Sequence, residues 1–114
     1  MNKGNCFYEI ERTEDTLRVI LNGEMDHHNA VLLRTELDKL ITEERPRRLA
    51  IDLSGIGFMD SSGLGFVMGR YALLQRLGGS LVLEEPNDRI MKIFELAGLG
   101  RMIDIKRTER EDVK

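Results

Sequence analysis

Tryptophan is absent, cysteine occurs once (Cys6), proline twice (Pro46 and Pro86), and the two histidines stand side by side at His27 and His28. Each scarcity excludes something. A single cysteine permits no internal disulfide and no CxxC metal knuckle, so neither a disulfide-stapled fold nor a cysteine-rich zinc site is available. Adjacent histidines lack the i, i+4 spacing of a helical zinc site, and neighbours on a helix point in different directions, so at most one could serve a given serine as a base. They read as surface residues in the first turn of a helix. The formal net charge of −3 gives no basic excess to hold a nucleic acid. The densest basic cluster, Arg45, Arg47 and Arg48, lies beside Glu43 and Glu44 and reads as a solvated turn. No apolar run is long enough to span a bilayer, and the first five residues carry no apolar signal core. The expected setting is the cytoplasm, with neither nucleic acid nor membrane as partner.

What remains is ordinary globular material: 114 residues, 41% of them hydrophobic, enough for one core and one domain. Phe7–Ile10 is a short strand candidate, and Leu17, Val19 and Leu21 alternate with Arg18, Ile20 and Asn22 as a second, so the two predict a hairpin. Asn22-Gly23 reads as a strand break. Asp26 can cap a helix carrying Ala30, Leu33, Leu37, Leu40 and Ile41 on one face, which Pro46 stops. Leu49, Ile51 and Leu53 alternate with Ala50, Asp52 and Ser54 along a third strand. A second helix presents Leu64, Val67, Met68, Tyr71, Leu74 and Leu77 and ends at Gly78-Gly79. Ser80–Leu83 is a strand, Pro86-Asn87-Asp88 opens a helix with Ile90, Ile93, Phe94 and Ala97, and Gly98 closes it with Leu99 placed for the apolar contact of a Schellman ending. Met102–Ile105 forms a last strand. The order β-β-α-β-α-β-α-β predicts an α/β domain with mostly parallel crossovers. Arg18, Asn22, Asp52 and Glu84 on the alternate faces place the helices mainly on one side of a partly open sheet. The domain is expected over residues 1–106, with 107–114 a charged, frayed tail.

The stretch FMDSSGLG at 58–65 places a carboxylate and two hydroxyls where a buried strand hands over to a helix. Three chemistries fit. Either Ser61 or Ser62 can serve as an N-cap by residue type, with Asp60 a partner for the same free N–H groups. A nucleophilic serine is the second, but no G-x-S-x-G elbow is present, because Met59 stands where the first glycine would be. Nor is there a G-x-x-x-x-G-K-[ST] phosphate loop. A phosphoacceptor needs less: an exposed hydroxyl and room, which Gly63 and Gly65 supply. A phosphate of charge about −1.5 to −2 suits a helix N-terminus. Against a docked partner, with Asp60 adjacent and Glu24 and Asp26 near if two strand ends lie side by side, it becomes intolerable. At an effective dielectric of about 20, like charges about 6 Å apart repel by on the order of 3 kcal/mol, roughly a hundredfold in affinity. Apolar anchors for such a surface would come from Phe58, Met59, Leu64 and Phe66. Phe58 and Leu64 are expected at least partly buried, and Phe66, off the main stripe, is the better surface residue. Gly65 and Gly69 leave a flat patch that suits a partner groove or a neighbouring helix equally.

FMDSSGLG, followed by MGRY and the Gly-Gly break, resembles the signature of STAS domains, and more narrowly of bacterial anti-sigma factor antagonists. NGEMDHHNA at 22–30 is similar to the Gly-Glu-Leu-Asp-His-His stretch of the sporulation type, with Met25 in place of the leucine. The resemblance runs from the first strand to IFELAGLG near residue 100. It implies a STAS fold: a mixed sheet of four to five strands with three to four helices packed mainly on one face. It implies a non-enzymatic regulator of transcription whose unphosphorylated form binds an anti-sigma factor that is also a serine kinase, releasing the sigma factor. Phosphorylation at Ser61 abolishes binding, and a serine phosphatase restores it. Asp60 supports the site, Ser62 is a helix-start neighbour and a second candidate acceptor, and Asp26 is expected beside the serine. With Glu24, Gly63, Leu64 and Phe66 these make up the partner-binding set. No cofactor and no metal is implied. A nucleotide- or small-molecule-sensing module, using a cleft between Asp26 and Asp60 with weak nucleotide binding, is the alternative; a serine hydrolase is a more distant one.

Overall fold

In the computed structural model, which describes residues 6–108, five strands form one sheet in the order β1-β2-β3-β4-β5. The strands are β1 (Cys6–Arg12), β2 (Thr16–Met25), β3 (Arg48–Met59), β4 (Ser80–Glu84) and β5 (Asp104–Lys106). Three helices connect them: α1 (His27–Glu44), α2 (Ser61–Leu77) and α3 (Asp88–Ala97), with a 3-10 turn over Leu99–Arg101. β1 runs antiparallel to β2, and every later pair is parallel, as helix crossovers require.

Alternation decides the two faces of the sheet. Leu17, Val19 and Leu21 of β2, Leu49, Ile51 and Leu53 of β3, and Leu81 and Leu83 of β4 join one core with Leu33, Leu37 and Ile41 of α1, Phe66, Val67 and Leu74 of α2, and Ile90 and Phe94 of α3. The other face carries Arg18, Ala50, Asp52, Val82 and Glu84. Ala50 and Val82 are buried there without belonging to the helical core. Arg18 accounts for the cover over Ala50. Its Cα pairs with that of Ala50, and its guanidinium reaches beyond β3 to donate from Nε to Glu84 Oε1 at 3.0 Å. The aliphatic stem therefore crosses β3.

β2 does not break at Asn22-Gly23. It continues to Met25 through irregular pairing with β3, where Gly23 takes φ 119°. Asn-Gly is a turn pair when both flanks can fold back, but here the β1 and β3 ladders hold both sides extended, so the glycine becomes a bulge. Gly55 makes the bulge possible. A Cβ there would run into the Asn22 side chain and stand 2.8 Å from the Leu21 carbonyl oxygen.

The buried face of α2 is also turned from the expected stripe. Gly63, Phe66, Val67, Arg70 and Leu74 are buried, Leu64, Tyr71 and Leu77 are half-buried, and Met68 is exposed. The helix packs on α1 as well as on the sheet, so a second line of residues is covered. Phe66, expected at the surface, is 4% exposed for this reason. Arg70 lies in the α1–α2 seam, over the Phe66 ring at 5.1 Å from its centroid. Its Nε stands 2.8 Å from Asp38 Oδ1 of α1 as a close ion pair not aligned as a hydrogen bond. The aligned bonds are weaker: Nη2 to Asp38 Oδ2 at 3.4 Å and Nη1 to the Phe66 carbonyl at 3.2 Å. Burial pulls the Arg70 guanidinium below its ordinary pKa, and the facing Asp38 opposes that pull.

Gly63 and Gly65 are two residues apart on α2 and differ in what surrounds them. A Cβ on Gly63 would collide with Met59 and stand 2.7 Å from Met25 Cγ, whereas one on Gly65 meets nothing within 4 Å. Gly63→Ala is therefore expected to destabilise the fold by about 1–3 kcal/mol through overpacking. Gly65→Ala should stabilise it by about 0.5–1 kcal/mol through helix propensity. Urea denaturation midpoints of the two variants, moving in opposite directions, check this.

Candidate functional site

Two helices begin side by side at one edge of the core. Met25 and Met59, the last residues of β2 and β3, are Cα partners in the parallel ladder, so Asp26 and Asp60 follow as neighbouring exits from the sheet. Each aspartate caps the helix it opens. Asp26 Oδ1 accepts from Asn29 N at 2.9 Å, and Asp60 Oδ1 accepts from Ser62 N at 2.8 Å. Asp60 N donates to the Met25 carbonyl at 3.4 Å, tying the second exit to the first. Buried Asn29 adds another tie, donating from Nδ2 to the Glu24 carbonyl at 2.9 Å. Glu24 itself pairs across the ladder with Phe58 and points to solvent.

Ser61 is the first residue of α2 and is exposed, while Ser62 is half-buried. The cap is therefore neither serine but Asp60, which leaves the Ser61 hydroxyl free of a capping duty. The positive end of α2 is also partly spent. Ser62 N is taken by the Asp60 carboxylate and Gly63 N donates to the Asp60 carbonyl at 3.0 Å. An anion on Ser61 would rest on its exposure to water more than on the free N–H groups expected from the sequence.

His27 comes closer than the sequence implied. It is exposed in the first turn of α1, yet its Nδ1 lies 3.4 Å from Ser62 Oγ. That contact supplies two members of a serine–histidine pair. Among the described residues no carboxylate hydrogen-bonds or ion-pairs with His27, so none of them orients the ring as nucleophilic catalysis requires. The signal that could have found the contact is the pairing of Met25 with Met59, which puts residues one and two positions into each helix on facing corners. Between the two helix starts lies a shallow groove of about 250 Å³ bounded by His27, Val31, Arg34, Ser62, Gly65 and Phe66. It is smaller than the roughly 300–1,000 Å³ of ordinary small-molecule pockets.

The remaining candidate residues fall around this corner. Leu64 is half-buried against the core. Gly63 is buried where α2 meets Met25 and Met59. Phe66 is inside, under the groove rather than on the surface. Phe58 is more open than expected, at 46% exposed. Cys6, half-buried at the start of β1, also feels the site: burial and then the Asp26 charge push its thiol up to about 11. Among the described residues no cluster of three or more histidine, cysteine or carboxylate side chains could hold a metal ion, and no helix is long and apolar enough to cross a membrane.

The domain is thus a mixed, mostly parallel sheet with an exposed serine between two aspartate-capped helix starts. Residues 7–112 match the STAS domain model, and the chain belongs to the STAS domain family. It is 33% identical over 101 residues to the anti-sigma F factor antagonist of Paenibacillus polymyxa, covering 89% of this chain and 86% of that one. To the anti-sigma-B factor antagonist of Bacillus subtilis it is 35% identical over 101 residues, covering 89% and 91%. Among solved structures it is similar to the anti-sigma factor antagonist SpoIIAA in its unphosphorylated form, with a TM-score of 0.78 and 29% identity over 93% of this chain and 91% of that one. The phosphorylated form of SpoIIAA from Bacillus superposes with a TM-score of 0.72 at the same 29% identity, over 93% of this chain and 95% of that one.

Two measurements probe the corner directly. Asp60→Ala should cost about 0.5–2 kcal/mol in urea denaturation, and Asp60→Asn distinctly less, because asparagine can still accept from Ser62 N. The Cys6 thiol should react with an alkylating reagent at half its maximal rate near pH 11 rather than near the 9.0 of an unperturbed thiol. The folded state holds that proton more tightly than the unfolded chain. Stability is thus full below about pH 9 and falls as pH rises toward 11.

Proposed function

We propose that this protein is an anti-sigma factor antagonist, a binding regulator of transcription rather than an enzyme. In this reading its unphosphorylated form binds an anti-sigma factor that doubles as a serine kinase and so frees the sigma factor. Phosphorylation of Ser61 ends the binding, and a serine phosphatase restores it. The observation that carries the proposal is the position of Ser61, exposed at the first turn of α2 and flanked by two aspartates already committed as caps. The relatives named above carry the antagonist function in their names, and SpoIIAA is known in both phosphorylation states.

The physics of the switch follows from that position. The free protein keeps a phosphoserine in water, whose high dielectric constant weakens its repulsion from the neighbouring carboxylates. A docked partner removes the water. The phosphate then stands desolvated beside Asp60 and near Asp26 and Glu24, and the Arg34 guanidinium lies across the groove beyond Ser62. Repulsion and desolvation are thus confined to the bound state. Ser62 is held apart by its His27 contact and half-burial, which favours Ser61 as the acceptor. Weak nucleotide binding stays a secondary reading: both aspartates are engaged in caps and the intervening groove is small.

Ser61→Asp should weaken binding to the anti-sigma factor of the source organism by roughly 10- to 100-fold in isothermal titration, with a melting temperature nearly unchanged. Ser61→Ala should bind like the wild type and gain no phosphate when incubated with that kinase and ATP. An adduct mapped by mass spectrometry only to residues other than 61 and 62, or equal affinity of the Asp and Ser forms, would overturn the reading.

A further inference from the structure

Beside Ser61, on the side away from His27, β3 and α3 enclose a groove of about 490 Å³ that the phosphoserine switch does not use. Its lining is largely apolar, with Gly57, Phe58, Met59, Ile90 and Ile93 among the residues that form it. Phe58 is 46% exposed, a large aromatic left half open at the lip. Asn87 fixes the spacing of the walls: its Oδ1 caps α3 at Ile90 N, 2.9 Å away, while its Nδ2 donates to the Ile56 carbonyl of β3 at 3.3 Å. The groove is therefore held at both sides before anything enters it.

Charge narrows the choice of occupant. Asp88 at the rim is paired with Arg107, Nη2 to Oδ1 at 2.7 Å, which offsets its charge. Arg89 and Lys92, both exposed, remain as the rim's cations in a chain of net charge −3. They lie on the helix face that also shows Ile93 and, one turn on, Leu96, which is 82% exposed. An apolar line with cations along one edge selects an occupant with apolar side chains and carboxylates, and discriminates against a basic one.

We propose that this groove is a second docking point for the anti-sigma partner, and that it receives a short partner segment carrying one or two apolar side chains flanked by carboxylates. The proposal rests on the antagonist reading above. Phe58 precedes Ser61 by three residues, so at about 3.3 Å per extended residue the two lie within roughly 10 Å. A partner face of ordinary size, about 800 Å², covers both. Phe58 would then be the aromatic anchor, seated in a desolvated pocket, and Arg89 and Lys92 would speed the encounter. The same distance puts a phosphate on Ser61 within about a screening length of the partner's carboxylates, so groove and switch act on one surface.

The test uses the full chain and the anti-sigma factor of the source organism, by surface plasmon resonance at two salt concentrations. Phe58→Ala is expected to weaken binding roughly 10- to 100-fold, mainly through faster dissociation. The double variant Arg89→Glu/Lys92→Glu is expected to slow association about tenfold and to flatten or reverse its salt dependence. Both alter exposed side chains, and thermal melts verify that the fold is kept. Groove variants that bind within twofold of wild type, while Ser61→Asp still loses binding, overturn the groove and leave the antagonist reading standing. Absence of binding by the wild type itself overturns both. Removal of residues 109–114 provides a further arm. If it tightens partner binding and erases the effect of the groove variants, the chain's own acidic end is the occupant and the proposal falls. It falls equally if Phe58→Ala converts a dimer to a monomer in sedimentation without changing partner affinity.

Discussion

The parallel pairing of Met25 with Met59 is the constraint on which the candidate corner depends. Two strands that end in register deliver two chain exits to the same corner, and each exit is an aspartate. A carboxylate at that position can satisfy the orphan N–H groups of a nascent helix at once, so both helices start within one residue of the sheet. The close start is permitted sterically by Gly63, whose missing side chain lets α2 lie against the two methionines. Register, caps and glycine act together. Were any one displaced, Ser61 would turn with the first turn of α2 and the corner would lose its geometry.

Much of the fold was legible because strand and helix periods do not mimic one another. Leu49, Ile51 and Leu53 could only be one face of a strand, and Ala30, Leu33, Leu37 and Ile41 only one face of a helix. The turn chemistry of Gly78, Asn87 and Gly98 marked the helix ends where they occur. Failure came where tertiary structure overrode a local rule. Asn22-Gly23 is a turn signal by composition, yet two flanking ladders kept it extended. Phe66 fell off the apolar stripe of α2 because the stripe was drawn for one contact surface, whereas α2 has two. Arg70 was invisible for the same reason. A cation on a helix reads as solvent-facing until a carboxylate such as Asp38 is known to stand across the seam.

At the candidate site the residue types were legible and their division of labour was not. The sequence allowed either serine to cap α2, and it credited the helix end with open N–H groups. Once Asp60 is seen to take the cap, both ideas change together: the serines are released from structural duty, and the anion-binding capacity of the helix end is reduced. His27 shows the limit of reasoning from spacing alone. As one of two adjacent histidines it had no motif partner along the chain, and its neighbour Ser62 is 35 residues away. Only strand register brings them together.

These facts bear on the proposed switch, in which a charge at Ser61 changes docking and leaves the fold intact. The side-chain caps are made by Asp26 and Asp60, the α1–β2 tie by Asn29 and the tie between the two exits by the backbone, none of them by the Ser61 hydroxyl. Modifying that hydroxyl therefore removes no bond that holds the corner together. What it adds is a charge beside carboxylates, and its energetic cost depends on the medium. In water the charge is largely screened; under a partner it is not. The free domain and the docked domain thus assign different energies to the same group, and that difference is all a binding switch requires. A conformational mechanism would need a second packing of α2, and Gly63 against Met25 and Met59, with Phe66 and Arg70 held in the α1 seam, leaves little room for one.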